Sequence, residues 1–287
     1  MTNLKKFSIV VPSRESDFHL INKNLVSYLT VSAEEFLLCV DDDCSKEFID
    51  NVNNLYEKLK KKYTDISSLR IIQVERRPDF QFHQAWVRRK GFLSAKNDYI
   101  LTGDIDLFIN KKVVKAIETV GQNDIGLASL QKFPFQSNLR FSFITIWRMM
   151  YQTLIRATYR DVFTGLYALY RPYWLDTEDE KIKNLKNAKY AGLKGSMLGE
   201  DTYLRDCMEK KHKCAYLRYV GAVDHGIALH DNPRMQIALG RYYFQQGKSL
   251  LHAFLAGFLY AHPEAIVGYL YEKERVKKGL SKMGDVT

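Results

Sequence analysis

Over the first hundred positions, short apolar runs that end in acidic or small residues alternate with segments of helical period. This is the pattern of βαβ units feeding a mostly parallel sheet. The strand candidates are "FSIVVP" (7–12), "EFLLCV" (35–40), "LRIIQV" (69–74) and "DYILTG" (98–103). Between them Phe48, Val52, Leu55, Tyr56, Leu59 and Tyr63 recur at near-helical spacing among Lys and Glu, which predicts an amphipathic helix over 46–63 with Ser45 as its cap. A second helical pattern covers 85–96. Beyond it the spacing predicts strands over 123–131 and 166–174, the latter ending at a Pro, and a long aromatic helix over 141–160. A helix over 199–213 and a closing strand over 214–221 follow. From about residue 233 the pattern is helical, so the expected division is a domain over 1–230 and a helical extension over 231–287.

The fourth strand runs into Asp104–Ile105–Asp106, two carboxylates inside an apolar stretch. Gly103 is expected to let the chain turn, and both acids project to one side if extended geometry persists. Paired carboxylates suit a hard divalent cation, Mg²⁺ or Mn²⁺, completed by substrate phosphates; an Asp capping the helix at 111–120 is the other reading. The second strand ends in "DDDCS" (41–45). Ligands of open α/β sheets bind outside the carboxyl ends of the strands, so Asp42, Asp43, Asp104 and Asp106 are expected at one crevice. Arg88, Arg89 and Lys90 offer cations for a diphosphate or form a solvated helix face.

With 43 Lys+Arg against 33 Asp+Glu, the net charge of +10 favours anionic partners without choosing among them. The four cysteines form no CxxC pair and no zinc spacing, which points to reduced cytosolic thiols. The start of the chain lacks a signal-peptide core, and the apolar stretch 249–271 is interrupted by His252, His262, Pro263 and Glu264. "GKS" at 247–249 has no phosphate-loop spacing before it. Glu200 and Asp201 stand where a helix begins, as acids of an ordinary first turn or as a general base; His225 and His230 flank "GIAL" as candidate ligands or bases.

Taken in order, "SIVVPSR", "DDDCS", "RRKGFLSAKNDYILTGDIDLF", "FTGLYALYRPYW" and "GEDTYLRDCMEKKHKCAYL" resemble the family-2 glycosyltransferases of the GT-A fold over residues 7–225. The resemblance implies an α/β fold of GT-A type, a mostly parallel open sheet with helices on both faces and a helical C-terminal tail. It also implies an inverting transfer of a sugar from a nucleoside-diphosphate donor (a UDP- or GDP-sugar) to an acceptor hydroxyl. Carried across, Asp42 and Asp43 contact the base or ribose, Asp106 ligates Mn²⁺ or Mg²⁺, and Asp104 lies toward the ribose or the metal's water. Asp201, paired with Glu200, is the base, and His225 is the nearer match to a metal-ligating His. Pro12 and Arg14 end the first strand where the donor sits, and Arg89 faces the diphosphate. The strand ending Pro12–Ser13–Arg14–Glu15 departs from the family's small residues and Asn.

The tail residues Tyr242, Tyr243, Phe244, Leu250, Leu251, Phe254, Leu255, Phe258 and Leu259, flanked by basic residues, either cap the domain or lie in a membrane interface. The run "RYYFQQGKSLLHAF" resembles tails of family members acting on polyprenyl-linked glycans, so a glycan or lipid-linked acceptor of the cell envelope is expected. The location expected is cytoplasmic, or peripheral at the inner face of the membrane, with no nucleic-acid partner. The competing readings are a nucleotidyltransferase, for which a Gly-rich loop after the first strand is missing, and a non-catalytic basic module for RNA or acidic glycan.

Overall fold

The computed structural model describes residues 5–75, 83–130, 165–177, 200–217, 222–224, 237, 240–241, 243–244, 247–251, 253–254 and 264–280. Contacts divide the chain into two compact units. The first comprises Met1–Phe133, Val162–Lys181 and Glu200–Asp224, and the second Pro134–Asp161, Ile182–Gly199 and His225–Thr287. The expected helix at 141–160 lies outside the described residues, as do His225 and His230.

The first unit holds a seven-stranded sheet ordered β3-β2-β1-β4-β7-β6-β8. Its strands are β1 (Phe7–Pro12), β2 (Glu35–Asp41), β3 (Ser68–Val74), β4 (Tyr99–Thr102), β6 (Ile125–Leu130), β7 (Tyr167–Tyr170) and β8 (Lys213–Leu217). β1 pairs in parallel with β2 and β4, β2 with β3, and β6 with β8; β7 runs antiparallel to both β4 and β6. The sheet is therefore mostly parallel, as expected. β5 (Leu107–Ile109) and β9 (Ala222–Asp224) form a separate antiparallel pair that the sequence pattern did not suggest.

Every residue of β1 is buried because both faces of the sheet are covered, and this is why the strand reads as an unbroken apolar run. Alternate side chains feed two cores. Phe7, Ile9, Val11, Phe36, Leu38 and Val40 meet α1 (Phe18–Leu29) and α2 (Lys46–Lys62) on one face. On the other, Val10, Leu37 and Cys39 meet α3 (His83–Ser94), α5 (Arg171–Asp176) and α6 (Glu200–Glu209) through Trp86, Phe92, Trp174, Leu204 and Met208. A short α4 (Val114–Thr119) precedes β6.

Ser45 caps α2 as expected, its Oγ accepting the Phe48 N–H at 3.1 Å. The strand expected over 166–174 stops at Tyr170. Arg171 to Trp174 are helical, because Pro172 sits in the first turn of α5, where its missing N–H has no intrahelical partner to lose. α1 was not anticipated at all.

α3 approaches the sheet through Gly91. A Cβ there would lie 2.7 Å from Cys39 Sγ and closer still to Val10 Cγ1, so only a bare Cα lets the helix seat.

In the second unit, residues 237, 240, 241, 243 and 244 are helical and pack on α7 (Glu264–Lys277). Gly240 and Gly268 allow backbone-to-backbone approach: a Cβ on Gly240 would strike the Ala265 carbonyl, and one on Gly268 the Ile237 carbonyl. Arg241 Nε donates to buried Glu272 at 2.8 Å, and Tyr269 Oη to the Lys248 carbonyl at 2.8 Å.

Candidate active site

The chain adds β2 and β3 on one side of β1, then returns to place β4 on the other. The carboxyl ends of β1 and β4 thus form a topological switch point, where open α/β sheets hold ligands. β1 ends there in Pro12, β2 in Asp41 and the following Asp42 and Asp43, and β4 in the segment Gly103–Asp106. β2 and β4 are two strand spacings apart, roughly 10 Å, so their terminal acids share an edge rather than a single ion. Accordingly, among the described residues no three His, Cys, Asp or Glu side chains could hold a metal ion.

Asp104–Ile105–Asp106 is a turn, not an extended continuation of β4. The Leu107 N–H donates to the Asp104 carbonyl at 3.2 Å, and Ile105 is buried in the core between two half-buried carboxylates. Extended geometry therefore does not persist. The reason for Gly103 also differs from that expected. Its φ is not left-handed; instead a Cβ would lie 2.8 Å from Leu166 Cδ1, so the demand is for space.

Three side chains of α1 hold this turn. Asn24 Nδ2 donates to the Ile105 carbonyl at 2.9 Å and Tyr28 Oη to the Asp104 carbonyl at 2.6 Å, while Ser27 Oγ accepts the Ile109 N–H at 3.3 Å. All three are buried.

From the opposite face, α3 delivers Arg88, whose Nη2 lies 2.7 Å from Asp104 Oδ1. Of the three consecutive cations, Arg88 is the buried one, while Arg89 and Lys90 lie over the Trp86 ring at 5.3 and 4.7 Å. The Trp86 indole N–H donates to the Glu75 carbonyl. Cys39 packs beneath the same helix, and burial pushes its thiol up to about 12 against the opposing influence of Arg88 and Arg70.

At the other side of β1, Asp42 and Asp43 are exposed, and the Asp42 N–H donates to the Val74 carbonyl at 3.2 Å. Pro12 is buried in register with Cys39, and Arg14 is exposed, its N–H donating to Asp17 Oδ2 at 3.0 Å. Glu15 ties the end of β1 to the loop after β2: its Oε1 accepts the Ser45 hydroxyl at 2.6 Å and its Oε2 the Ser45 N–H at 3.0 Å. These bonds hold its carboxyl below the usual range, the hydroxyl first.

Glu200 opens α6, and Leu204 and Met208, one turn apart, both pack on the sheet. The helix leads directly into β8 from the sheet's amino edge, so its ten residues, about 15 Å, carry Glu200 and Asp201 back toward the carboxyl edge. Their side chains lie outside the described residues. Asp224 of β9 registers opposite Leu107, one residue beyond Asp106, and His225 follows it in sequence.

For a divalent cation, the donor set at the turn is hard carboxylate oxygen, the right chemistry for Mg²⁺ or Mn²⁺ bound through one or two carboxylates plus phosphates. Both carboxylates of the turn are of that chemistry, and Asp104 also engages Arg88.

No family model and no curated protein matches the sequence. Among solved structures, the chain is similar to 4-diphosphocytidyl-2C-methyl-D-erythritol synthase from Anaerococcus prevotii (11% identity, 76% of this chain and 90% of that one, TM-score 0.47). It is similar to glucosyl-3-phosphoglycerate synthase from Mycobacterium tuberculosis in complex with Mn²⁺, UDP and glucosyl-3-phosphoglycerate (12%, 85% and 81%, TM-score 0.48). It is also similar to S. aureus TarS 1-349 in complex with UDP (15%, 96% and 92%, TM-score 0.47). At such identities and TM-scores these likenesses assign no residue a role, and the site stands on the geometry above.

Proposed function

We propose that the chain is an inverting, divalent-metal-dependent glycosyltransferase of GT-A type, moving a sugar from a UDP- or GDP-sugar to a hydroxyl of a glycan or lipid-linked acceptor. The observation that carries this reading is the Asp104–Ile105–Asp106 turn at the switch-point edge, with Arg88 paired to Asp104 and Asp106 beside it. In this reading 1–230 is the catalytic domain and 231–287 a helical extension.

Asp106 and His225 would hold Mn²⁺ or Mg²⁺, which when bound offsets charge developing on the departing diphosphate. Asp42 and Asp43 accept hydrogen bonds from the base or ribose, Pro12 and Arg14 border the base, Asp104 faces the ribose, and Arg89 faces the diphosphate. Asp201, supported by Glu200, takes the proton from the acceptor hydroxyl oxygen as it attacks the anomeric carbon.

The test is thermal stabilisation by UDP, GDP, CDP and dTDP, each with and without Mn²⁺, on the wild type and Asp106→Ala, since a ligand of the folded state raises stability by mass action. A metal-dependent response to one nucleotide that the variant loses is the expected result. Silence toward all four overturns the reading in favour of a basic binding module. A nucleotide triphosphate consumed with release of pyrophosphate would instead identify a nucleotidyltransferase.

Peripheral membrane contact belongs to this proposal through α7. Val267, Leu270 and Tyr271 are exposed on it beside exposed Lys273, Lys277 and Lys278, the composition of a helix lying in an anionic interface. No described helix is long and apolar enough to cross a membrane. Co-sedimentation with phosphatidylglycerol vesicles but not phosphatidylcholine vesicles is expected, and is lost in Leu270→Glu/Tyr271→Glu; recovery that is the same with the two vesicles, or absent with both, removes this part.

A further inference from the structure

Buried polar side chains on a helix that covers a sheet are costly unless paired, and α1 buries three of them on one face: Asn24, Ser27 and Tyr28. Their partners are not in their own helix alone. Asn24 and Tyr28, one turn apart, donate to the successive carbonyls of Ile105 and Asp104, 81 and 76 residues away, and Ser27 accepts the Ile109 N–H while donating to the Asn24 carbonyl at 2.8 Å. These bonds grip the backbone on both sides of Asp106: two carbonyls before it and one amide after it. Arg88 grips the Asp104 carboxylate from the other face of the sheet. A turn of four residues held at three points, with the strand that follows it held at a fourth, has little freedom left, so the direction in which the Asp106 carboxylate leaves the backbone is set largely by α1.

We infer that Tyr28 and Asn24 are positioning residues: their side chains fix the two peptide planes that lead into Asp106 and so set its carboxylate for a cation carrying a nucleoside diphosphate. The inference rests on the proposed donor site. Partners that hydrogen-bond a ligand itself are worth about 10- to 100-fold in metal affinity; Tyr28 and Asn24 hold the peptides next to it, which places their effect at the lower end.

Tyr28→Phe removes one O–H and leaves the ring in place, so the fold is retained. Ser67→Ala is the control, because it deletes a buried hydroxyl bonded to the Leu29 carbonyl at 3.2 Å at the end of the same helix, away from the turn. Two quantities are measured on wild type, Tyr28→Phe and Ser67→Ala: amide exchange of the peptide covering 103–109 without ligand, and affinity for UDP and GDP with Mn²⁺. The expected result is faster exchange at 103–109 and about tenfold weaker Mn²⁺-dependent nucleotide binding in Tyr28→Phe, with neither change in Ser67→Ala. Unchanged exchange in Tyr28→Phe overturns the clamp whatever binding does. Faster exchange with undiminished binding overturns its link to Asp106 while the donor site stands. A wild type that binds neither nucleotide overturns the donor site and the inference with it, and is told apart by the wild-type binding measurement itself.

Discussion

Arg88 Nη2 stands 2.7 Å from Asp104 Oδ1, although sixteen residues and the whole of β4 separate them in the chain. The two side chains sit in unequal surroundings: Arg88 is 4% exposed and Asp104 37%. Asp104 can turn to water if its partner goes, and Arg88 cannot. Asp104→Ala, which leaves a buried guanidinium short of one carboxylate, is expected to cost about 3 kcal/mol, and Arg88→Met less than half of that. Urea midpoints at unchanged m-value measure the difference; equal losses would mean the pair is solvated alike on both sides.

Asp106 should show the opposite profile. Asp106→Asn, which keeps the size of the side chain, is expected to lower the urea midpoint less than Asp104→Ala does, while abolishing the Mn²⁺-dependent nucleotide response. A variant that loses stability and keeps the response would assign Asp106 to structure.

Gly91 links packing to the site, since it lies one turn beyond Arg88 on α3. Gly91→Ala must displace the helix from Val10 and Cys39, at a cost of about 2 kcal/mol, and should move Arg88 with it. The check is calorimetry of the variant alongside its nucleotide affinity, both expected to fall.

Glu35, at the start of β2, is a buried carboxylate. Burial pushes its carboxyl up, but the Lys96 N–H at 2.6 Å, Arg70 at 2.7 Å and the Ser8 hydroxyl at 2.8 Å together hold it below its usual 4.5. A folded-state value below the unfolded one stabilises the fold above the unfolded value, and the contribution fades as pH falls through the folded one. Stability should therefore decline on acidification below about pH 4.5, and less steeply in Glu35→Gln than in wild type. Parallel declines in urea titrations at pH 3 to 6 would remove Glu35 as a cause.

Cys39 should be the slowest thiol to alkylate. Fully buried and pushed up to about 12, it carries almost no thiolate at pH 8, so iodoacetamide should reach it only when the sheet opens. Mass spectrometry is expected to find Cys44 and Cys214 modified before Cys39, because both side chains are half-exposed, although burial and the nearby Asp41 raise the Cys44 thiol as well.

Much of the fold was legible because its signals are local. β1 to β4 were read as short apolar runs ending in acidic or small residues, α2 and α3 from period 3.6, and Ser45 from its place before a helical run. The acids at strand ends followed from the rule for open sheets, and their shared edge is what the strand order delivers. α1 was missed although Ile21, Leu25, Tyr28 and Leu29 recur at helical spacing; within the same buried face stand the polar Asn24 and Ser27. Those polar atoms make sense only beside the carbonyls of Asp104 and Ile105, which no window on the sequence contains.

The same holds for Arg88. In "VRRKG" three cations look alike, and the one that is buried against Asp104 is selected by the Gly91 contact that fixes the rotation of α3 on the sheet. Sequence by itself determined the sheet, its covering helices α2 and α3, and the residues at its carboxyl edge, because side-chain period and turn chemistry act over a few residues. Tertiary structure alone decided that α1 holds the backbone around the Asp104–Ile105–Asp106 turn and that Arg88 holds one of its carboxylates, because both depend on hydrogen bonds between groups 16 to 82 residues apart.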